Sequence, residues 1–313
     1  MKMRYREGDV YEVYYLDEEA CSGRYPIFFR SYKEQYAMEQ KQPKKNRRIK
    51  DWAIFLTLVL SAAASILYLA HYFYENRRGE TEFEALREVT ETAAEAVQAE
   101  AIEETGETEE ATEETVYCDP VYDFDELQTQ NEDIYAWIVV PGTMIDYPVL
   151  QSETDNYYLD YNLDHSKGYP GCIYTNKCNA KDFSDYNTVL YGHNMRKGTM
   201  FGSLHRYEDR EFFDTYQEIF VYTPDRRLTY EVKEIVKFSD VYIPAQYPVE
   251  EKEGRDAFLE ATFDYTDDPV SYFRDDVEVL EEDKLITLST CVSGERHRRY
   301  LLIGVLKEEA YYR

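Results

Sequence analysis

A thiol, an imidazole and a guanidinium stand out along a chain otherwise dominated by carboxylates. Cys291 closes the apolar, β-branched run "KLITLSTC", and a basic cluster, Arg296, His297, Arg298 and Arg299, opens the next run, "RYLLIGVL". The pattern predicts strand, loop, strand over residues 284–306, with a nucleophile ending one strand and a permanent cation starting the next. A nearby cation favours the thiolate and can stabilise negative charge that develops on a carbonyl oxygen. Taken blind, a free cysteine is more often a small buried hydrophobe than a nucleophile. The polar loop and the basic neighbours favour chemistry here.

His193 supplies the third part. It follows an apolar run in "NTVLYGHNM", between Gly192 and Asn194, where a side chain emerges at the rim of a sheet. Acyl transfer by a thiol needs a proton donor for the departing amine, and an imidazole suits that role. The other histidines fit less well. His71 falls in an apolar segment, His165 and His205 in polar loops or helices, and His297 in the basic loop. Arg299 directly precedes "YLLIGVL", so a strand fixes its direction, and a planar guanidinium suits a tetrahedral oxyanion. Arg296 and Arg298 are the alternatives.

These three need a scaffold that brings strand ends together. Strand-like runs recur at "AWIVV", "IDYPVL", "GCIYT", "NTVLYG", "EIFVYT" and "LTYEVKEIVKF" before the last two, with a Pro141-Gly142 turn signal between the first pair. Short strands without a βαβ rhythm predict a mainly β protein closed into a barrel. A short helical pattern precedes the strands at "FDELQTQ", and residues 251–273 look helical, inserted before "KLITLSTC".

Upstream, residues 52–74, "WAIFLTLVLSAAASILYLAHYFY", carry no acidic residue, lysine or arginine. They exceed the ~20 residues a bilayer demands and place aromatics near both ends. The stretch begins too late and runs too long for a signal peptide, and it lacks a clear cleavage site. Lys44, Lys45, Arg47, Arg48 and Lys50 crowd its N-terminal side, against Arg77 and Arg78 beyond it. The positive-inside rule then puts the N-terminus in the cytosol and the C-terminal part outside. The expected organisation is a cytoplasmic tail (1–50) of unassigned role, a transmembrane helix (51–74), an extracellular Ala/Glu/Thr-rich acidic stalk (75–116) and a catalytic domain (117–313). The stalk composition cannot bury a core.

The 313 residues allow one sizeable core plus appendages, and 32 tyrosines help to furnish it. A net charge of -28 argues against nucleic-acid partners, which require a basic face. No His/Cys cluster has zinc-ligand spacing, and the scattered carboxylates suggest no calcium site, so neither metal nor cofactor is expected.

"TLSTC" ending a strand, an arginine opening the next, and an upstream "LYGHNM" resemble the sortases, and within them class B. "WIVVPGTMIDYPVLQ", "DNYYL", "NTVLYGHNMRKGTMFGSL" and the helix inserted before "TLSTC" extend the resemblance over residues 131–306. The order histidine, cysteine, arginine differs from papain-like proteases, where cysteine comes first. The resemblance implies an eight-stranded β-barrel with a few peripheral helices, behind one transmembrane helix. It implies a membrane-anchored transpeptidase of Gram-positive bacteria that cleaves secreted proteins after a threonine in a C-terminal sorting motif. A cysteine thioester is then resolved by an amine of the cell-wall precursor or a pilin lysine. Carried over, Cys291 is the nucleophile, His193 the general acid and then base, and Arg299 the oxyanion and substrate clamp. The Val292 N–H becomes a second oxyanion donor, and Leu159 and Ser289 line the peptide groove, with Tyr247 beside them.

Three features depart from the family pattern. Val292 stands where class B often has an acidic or polar residue. The short cysteine-to-arginine loop leaves Arg298 and Arg299 both open. Cys172 and Cys178, in "GCIYTNKCN", stand where the family usually has no cysteine, as either a hairpin disulfide or two free thiols. A hydrolytic cysteine peptidase and a membrane-tethered peptide-binding barrel are the rival readings.

Overall fold

A computed structural model describes residues 44–100, 116–265 and 268–313. The expected tail up to residue 43 and the 101–115 part of the expected stalk lie outside the described residues. In chain order the elements are α1 (Lys44–Glu100), β1 (Val116–Cys118), α2 (Phe124–Gln130), β2 (Ile134–Val139), β3 (Asp146–Leu150) and α3 (Tyr157–Asp160). Then follow β4 (Ile173–Thr175), β5 (Asn187–Tyr191), a 3-10 helix (Phe201–Glu208), α4 (Arg210–Thr215), β6 (Glu218–Tyr222) and β7 (Arg226–Ser239). The chain ends with α5 (Ile243–Gln246), α6 (Lys252–Phe263), β8 (Tyr272–Phe273), β9 (Leu285–Val292) and β10 (Glu295–Tyr312).

The strands hydrogen-bond in the order β1-β10-β9-β5-β4-β3-β2-β6-β7-β8, and β10 also pairs with β7. That extra pairing closes a ring of eight strands, leaving β1 and β8 as appendages. The expected eight-stranded barrel is therefore present, and closure removes the sheet edges that would otherwise stay unpaired.

The two final strands are buried at every position over 285–290 and 300–305, because both of their faces are covered there. Tyr300 and Leu302 of β10 join the barrel core with Ile286 and Leu288 of β9 and Leu190 of β5. Leu301, Ile303 and Val305 alternate with them and join a second core with Leu285, Val236, Phe238 and Phe258. Phe258 comes from α6, which roofs the outer face of β7, β10 and β9. The helix is shorter than the expected 251–273. Asp264 caps it, and Pro269 cannot donate to a helix and turns its predecessor away from helical angles.

In α1, the stretch after the apolar segment is not bare. Phe83 and Leu86 are buried in the barrel core, the Phe83 ring meeting Tyr147 edge-on at 5.3 Å. Arg87 lies over the same ring at 4.5 Å and donates from Nε to the Asp146 carbonyl at 2.8 Å. Part of the region expected to be stalk is thus docked on the domain. The apolar part of α1 is long enough to cross a bilayer. Its most apolar window has a mean hydropathy of 2.2 and none of it is buried, which supports a single membrane span.

One ionisable group sits in the barrel wall. Glu234 of β7 is 3% exposed, and burial raises its carboxyl to about 7, with the Thr262 hydroxyl and Lys233 offsetting only part. A carboxyl raised in the folded state binds more protons than its unfolded counterpart. Its contribution is therefore favourable at low pH and lost as pH rises from about 4.5 to about 7. Over that window Glu234 is expected to cost on the order of 3 kcal/mol of stability. Denaturation midpoints of Glu234→Gln should lack that fall; parallel profiles for parent and variant would refute it. Separately, a fragment of residues 117–313 is expected to melt roughly 5–10 °C below one of residues 71–313, because it loses the buried Phe83 and Leu86. Equal melting temperatures by calorimetry would show that the docked segment contributes nothing.

Candidate active site

Strand register builds the site. Parallel pairing of β5 with β9 aligns Asn187 with Leu285 and proceeds residue by residue to Tyr191 and Ser289. Gly192 extends it by donating its N–H to the Ser289 carbonyl at 3.2 Å. Two residues past the last pair on each side stand His193 and Cys291. On the other side, antiparallel pairing sets Arg299 directly opposite Cys291. Cys291 and Arg299 therefore sit one strand spacing apart, about 4.8 Å between backbones, and His193 stands in the loop that directly follows β5 on the other side of β9. Side chains alternate along a strand, so residues aligned in register share a face.

The same rule separates the arginines. Arg298, one residue earlier, belongs to the other face, and its guanidinium stacks 5.1 Å over the Tyr265 ring. Arg299 is tied to the hairpin backbone, donating from one terminal nitrogen to the Arg298 carbonyl at 2.9 Å and the Arg296 carbonyl at 3.3 Å. His297 pairs with Asp240 at 2.9 Å. That hydrogen bond first, and the nearby Arg299 charge among lesser causes, hold the Asp240 carboxyl below its usual range.

His193 is half-buried and its tautomer is set from outside the strand. Its Nε2 lies 2.7 Å from the Leu159 carbonyl oxygen, which can only accept. Nε2 therefore carries a proton, leaving Nδ1 as the nitrogen available for proton transfer. Tyr169 covers the ring at 5.0 Å between centroids. The loop carrying Tyr169 comes this close only because Gly171 has no side chain: a Cβ there would lie 2.7 Å from the Tyr158 carbonyl oxygen, and its φ is +67°. The thiol of Cys291 is exposed at the rim. An exposed thiol beside an imidazole and a held guanidinium can attack a carbonyl, protonate its leaving group and balance the resulting oxyanion.

The remaining residues expected at the site are scattered. Leu159 touches His193 through its carbonyl, and the residue is 38% exposed. Ser289 shares the Cys291 face two residues earlier and is buried. Val292 is half-buried against the barrel core. Tyr247 is set apart, packing on Phe238 and Phe258. It also lines a cavity of about 400 Å³ with Cys178, Asp185, Arg255 and Lys284, a cavity that includes none of the three rim residues.

Sequence reasoning passed over His205 and Asn194. The Asn194 amide nitrogen lies 2.8 Å from both the Cys291 carbonyl oxygen and His205 Nε2. His205 Nδ1 faces Glu208 at 2.5 Å. The signals available were adjacency to His193 and the three-residue spacing from His205 to Glu208, which stacks side chains in a 3-10 helix. Among the described residues, no group of three or more histidine, cysteine or acidic side chains is arranged to hold a metal.

A protein-family model described as "Sortase domain" matches residues 138–307. Sortase B of Listeria monocytogenes is 33% identical over 171 residues, which cover 53% of this chain and 65% of that protein. Sortase B of Staphylococcus aureus is 31% identical over 186 residues, 59% of this chain and 73% of that one. A solved Staphylococcus aureus sortase B–substrate complex superposes with a TM-score of 0.59 at 26% identity, covering 75% of this chain and 99% of that one.

Among the described residues the cysteines are all free. Cys172 is buried, its thiol 3.7 Å from the Tyr161 carbonyl oxygen, and burial pushes its pKa well up. Cys178 is exposed and lies 3.3 Å from the Tyr242 hydroxyl. Both are free, so of the two readings left open for this pair the structure carries the two thiols and not the disulfide. Brief treatment of the folded protein with iodoacetamide is expected to label Cys291 and Cys178, and Cys172 only after denaturation. A Cys172–Cys178 cross-linked peptide in the mass spectrum would overturn this.

Proposed function

Because the chain belongs to the sortase family, on its class B branch, we propose that it is a membrane-anchored cysteine transpeptidase acting on the C-terminal sorting motif of secreted proteins. The observation that carries the residue assignment is that Arg299 of β10 pairs with Cys291 of β9, while His193 directly follows β5, the strand paired with β9 on its other side. The Cys291 thiol passes its proton to His193 as Sγ attacks the carbonyl carbon after the motif threonine, and the electrons displaced onto oxygen form a tetrahedral oxyanion. Arg299 and the Val292 N–H face that charge. As the carbon–nitrogen bond breaks, the protonated His193 gives its proton to the departing amine, leaving a thioester. An incoming amine reverses the sequence: it loses a proton to His193, attacks the thioester and releases the Cys291 thiol.

Leu159 and Ser289, next to His193 and Cys291, border the path of the bound peptide, while Tyr247 marks the outer end of this region beside α6. The acceptor is an amine of the cell-wall precursor. Water or a pilin lysine would make the same thioester a hydrolase or a polymerase intermediate. The lysine and arginine residues before the apolar segment support an N-terminus in the cytosol and a barrel outside, where both substrate and wall are.

The test incubates the full chain in detergent micelles with threonine-containing sorting peptides and competing amines, namely wall-type peptides and a lysine peptide, followed by mass spectrometry. A peptide–amine adduct is expected from the parent. Cys291→Ala should abolish it, and His193→Ala should lower it by about 10²–10⁴-fold, the usual worth of a general acid. Arg299→Ala should lower it by about 10²–10³-fold, as for an oxyanion donor. Arg298→Ala should stay within a few-fold of the parent; a larger loss for Arg298 than for Arg299 would reverse the assignment. Release of the acid alone, with every amine present, would make the protein a hydrolase.

A further inference from the structure

The ladder between β5 and β9 stops just short of the reacting residues. Its last backbone bond is Gly192 N–H to the Ser289 carbonyl, with the Thr290 hydroxyl donating to the Gly192 carbonyl at 2.8 Å. Beyond that point β5 has ended and β9 continues to Val292 paired with β10 alone, so on the side β5 has left, side chains take over. The Asn194 amide nitrogen spans the gap, 2.8 Å from the Cys291 carbonyl oxygen and 3.1 Å from Ser293 Oγ.

An asparagine amide can turn by half a rotation, and the wrong way round it would set oxygen against the Cys291 oxygen. His205 selects the correct one. Glu208, as a carboxylate, only accepts, so His205 Nδ1 carries a proton and donates to it over 2.5 Å. In the neutral ring that leaves a lone pair on Nε2, which accepts from the Asn194 amide at 2.8 Å. The amide nitrogen, with two protons, is thereby held toward β9. Were the ring to take a second proton, Nε2–H would itself face the Cys291 oxygen at 3.2 Å. Tyr300 of β10 backs the His205 ring at 4.8 Å.

We propose that His205, oriented by Glu208 and acting through Asn194, is a positioning residue for acyl transfer: the chain Glu208, His205, Asn194 pins the Cys291 carbonyl. The peptide joining Cys291 to Val292 is planar and trans, so fixing its oxygen fixes the opposite direction of the Val292 N–H. It also fixes the Cys291 backbone from which the thiol projects toward His193. A free rim would let that peptide rotate between turnovers. This inference rests on Cys291 being the nucleophile.

The test uses the full chain in micelles with the sorting peptide and amine that give adduct. Glu208→Gln keeps size and shape at a partly exposed position but accepts either tautomer of His205, so it removes the selection without removing bulk. Glu208→Gln and His205→Ala are expected to lower kcat by on the order of 10-fold to 100-fold, the scale of an ångström-sized misplacement. KM should stay within about twofold and melting temperatures should be unchanged, since the loss is one of placement and not of binding. His205→Gln, whose amide oxygen can accept from Asn194, should recover part of the loss. The double variant His205→Ala with Glu208→Gln should be no slower than His205→Ala alone, because Glu208 acts only through His205. Parent-like kcat in the single variants, additive losses in the double, or a loss that follows KM or melting temperature overturns the proposal. A parent that forms no thioester overturns the Cys291 assignment itself, and the proposal with it.

Discussion

The pairing of β9 with a parallel neighbour on one side and an antiparallel neighbour on the other is the constraint on which the structure turns. A sheet repeats every two residues, so register decides at once which side chains share a face and which face that is. With Tyr191 aligned to Ser289 and Arg299 aligned to Cys291, His193 and Arg299 flank the thiol from opposite sides. A slip of one residue on either side would keep every strand and dismantle the site.

What holds the register is burial on two faces. One set of alternate residues on β10, Tyr300 and Leu302, fills the barrel, and the other, Leu301, Ile303 and Val305, lies under α6. Either set shifted by one place would exchange environments with the other, and both would have to repack at native density. The helix inserted between β7 and β9 is thus more than a connector. By covering the outer face it gives β10 a second reason to stay where it is.

Much of this was legible because apolar alternation and punctuation are local properties. Each expected strand run corresponds to a strand, and the helix at "FDELQTQ" starts where Asp123 caps it by accepting from the Glu126 N–H at 3.1 Å. Other parts were hidden because they depend on partners distant in sequence. Arg298 and Arg299 are indistinguishable until the opposing strand fixes parity. His205 looks like an ordinary polar-helix histidine until the fold brings it against Cys291, 86 positions away. Phe83 and Leu86, set among Glu, Ala and Thr, gain meaning only from Tyr147 waiting across the domain surface. The free state of Cys172 and Cys178 follows from one being packed inside and the other lying by Tyr242.

The rim also differs from the barrel below it in what holds it together. Inside the barrel, backbone ladders and apolar packing suffice. At the level of Cys291 the β5–β9 ladder has ended while β9 still pairs with β10, and much of the order comes from single polar contacts: Leu159 on His193, the hairpin carbonyls on Arg299, Asn194 on Cys291. The docked stretch of α1, residues 78–87, reaches the same level. Arg78 bonds to Asp164, and Gly79 leaves no room for a side chain against Pro170, next to the Tyr169 that covers His193. Glu80 meets Lys197, four residues beyond His193, at 3.0 Å. Both loops that border the imidazole are therefore in contact with the helix that leads out of the apolar segment. A rim made of separate polar contacts gains rigidity from each loop that is fixed from behind, and here the fixing element is the one that follows the membrane span.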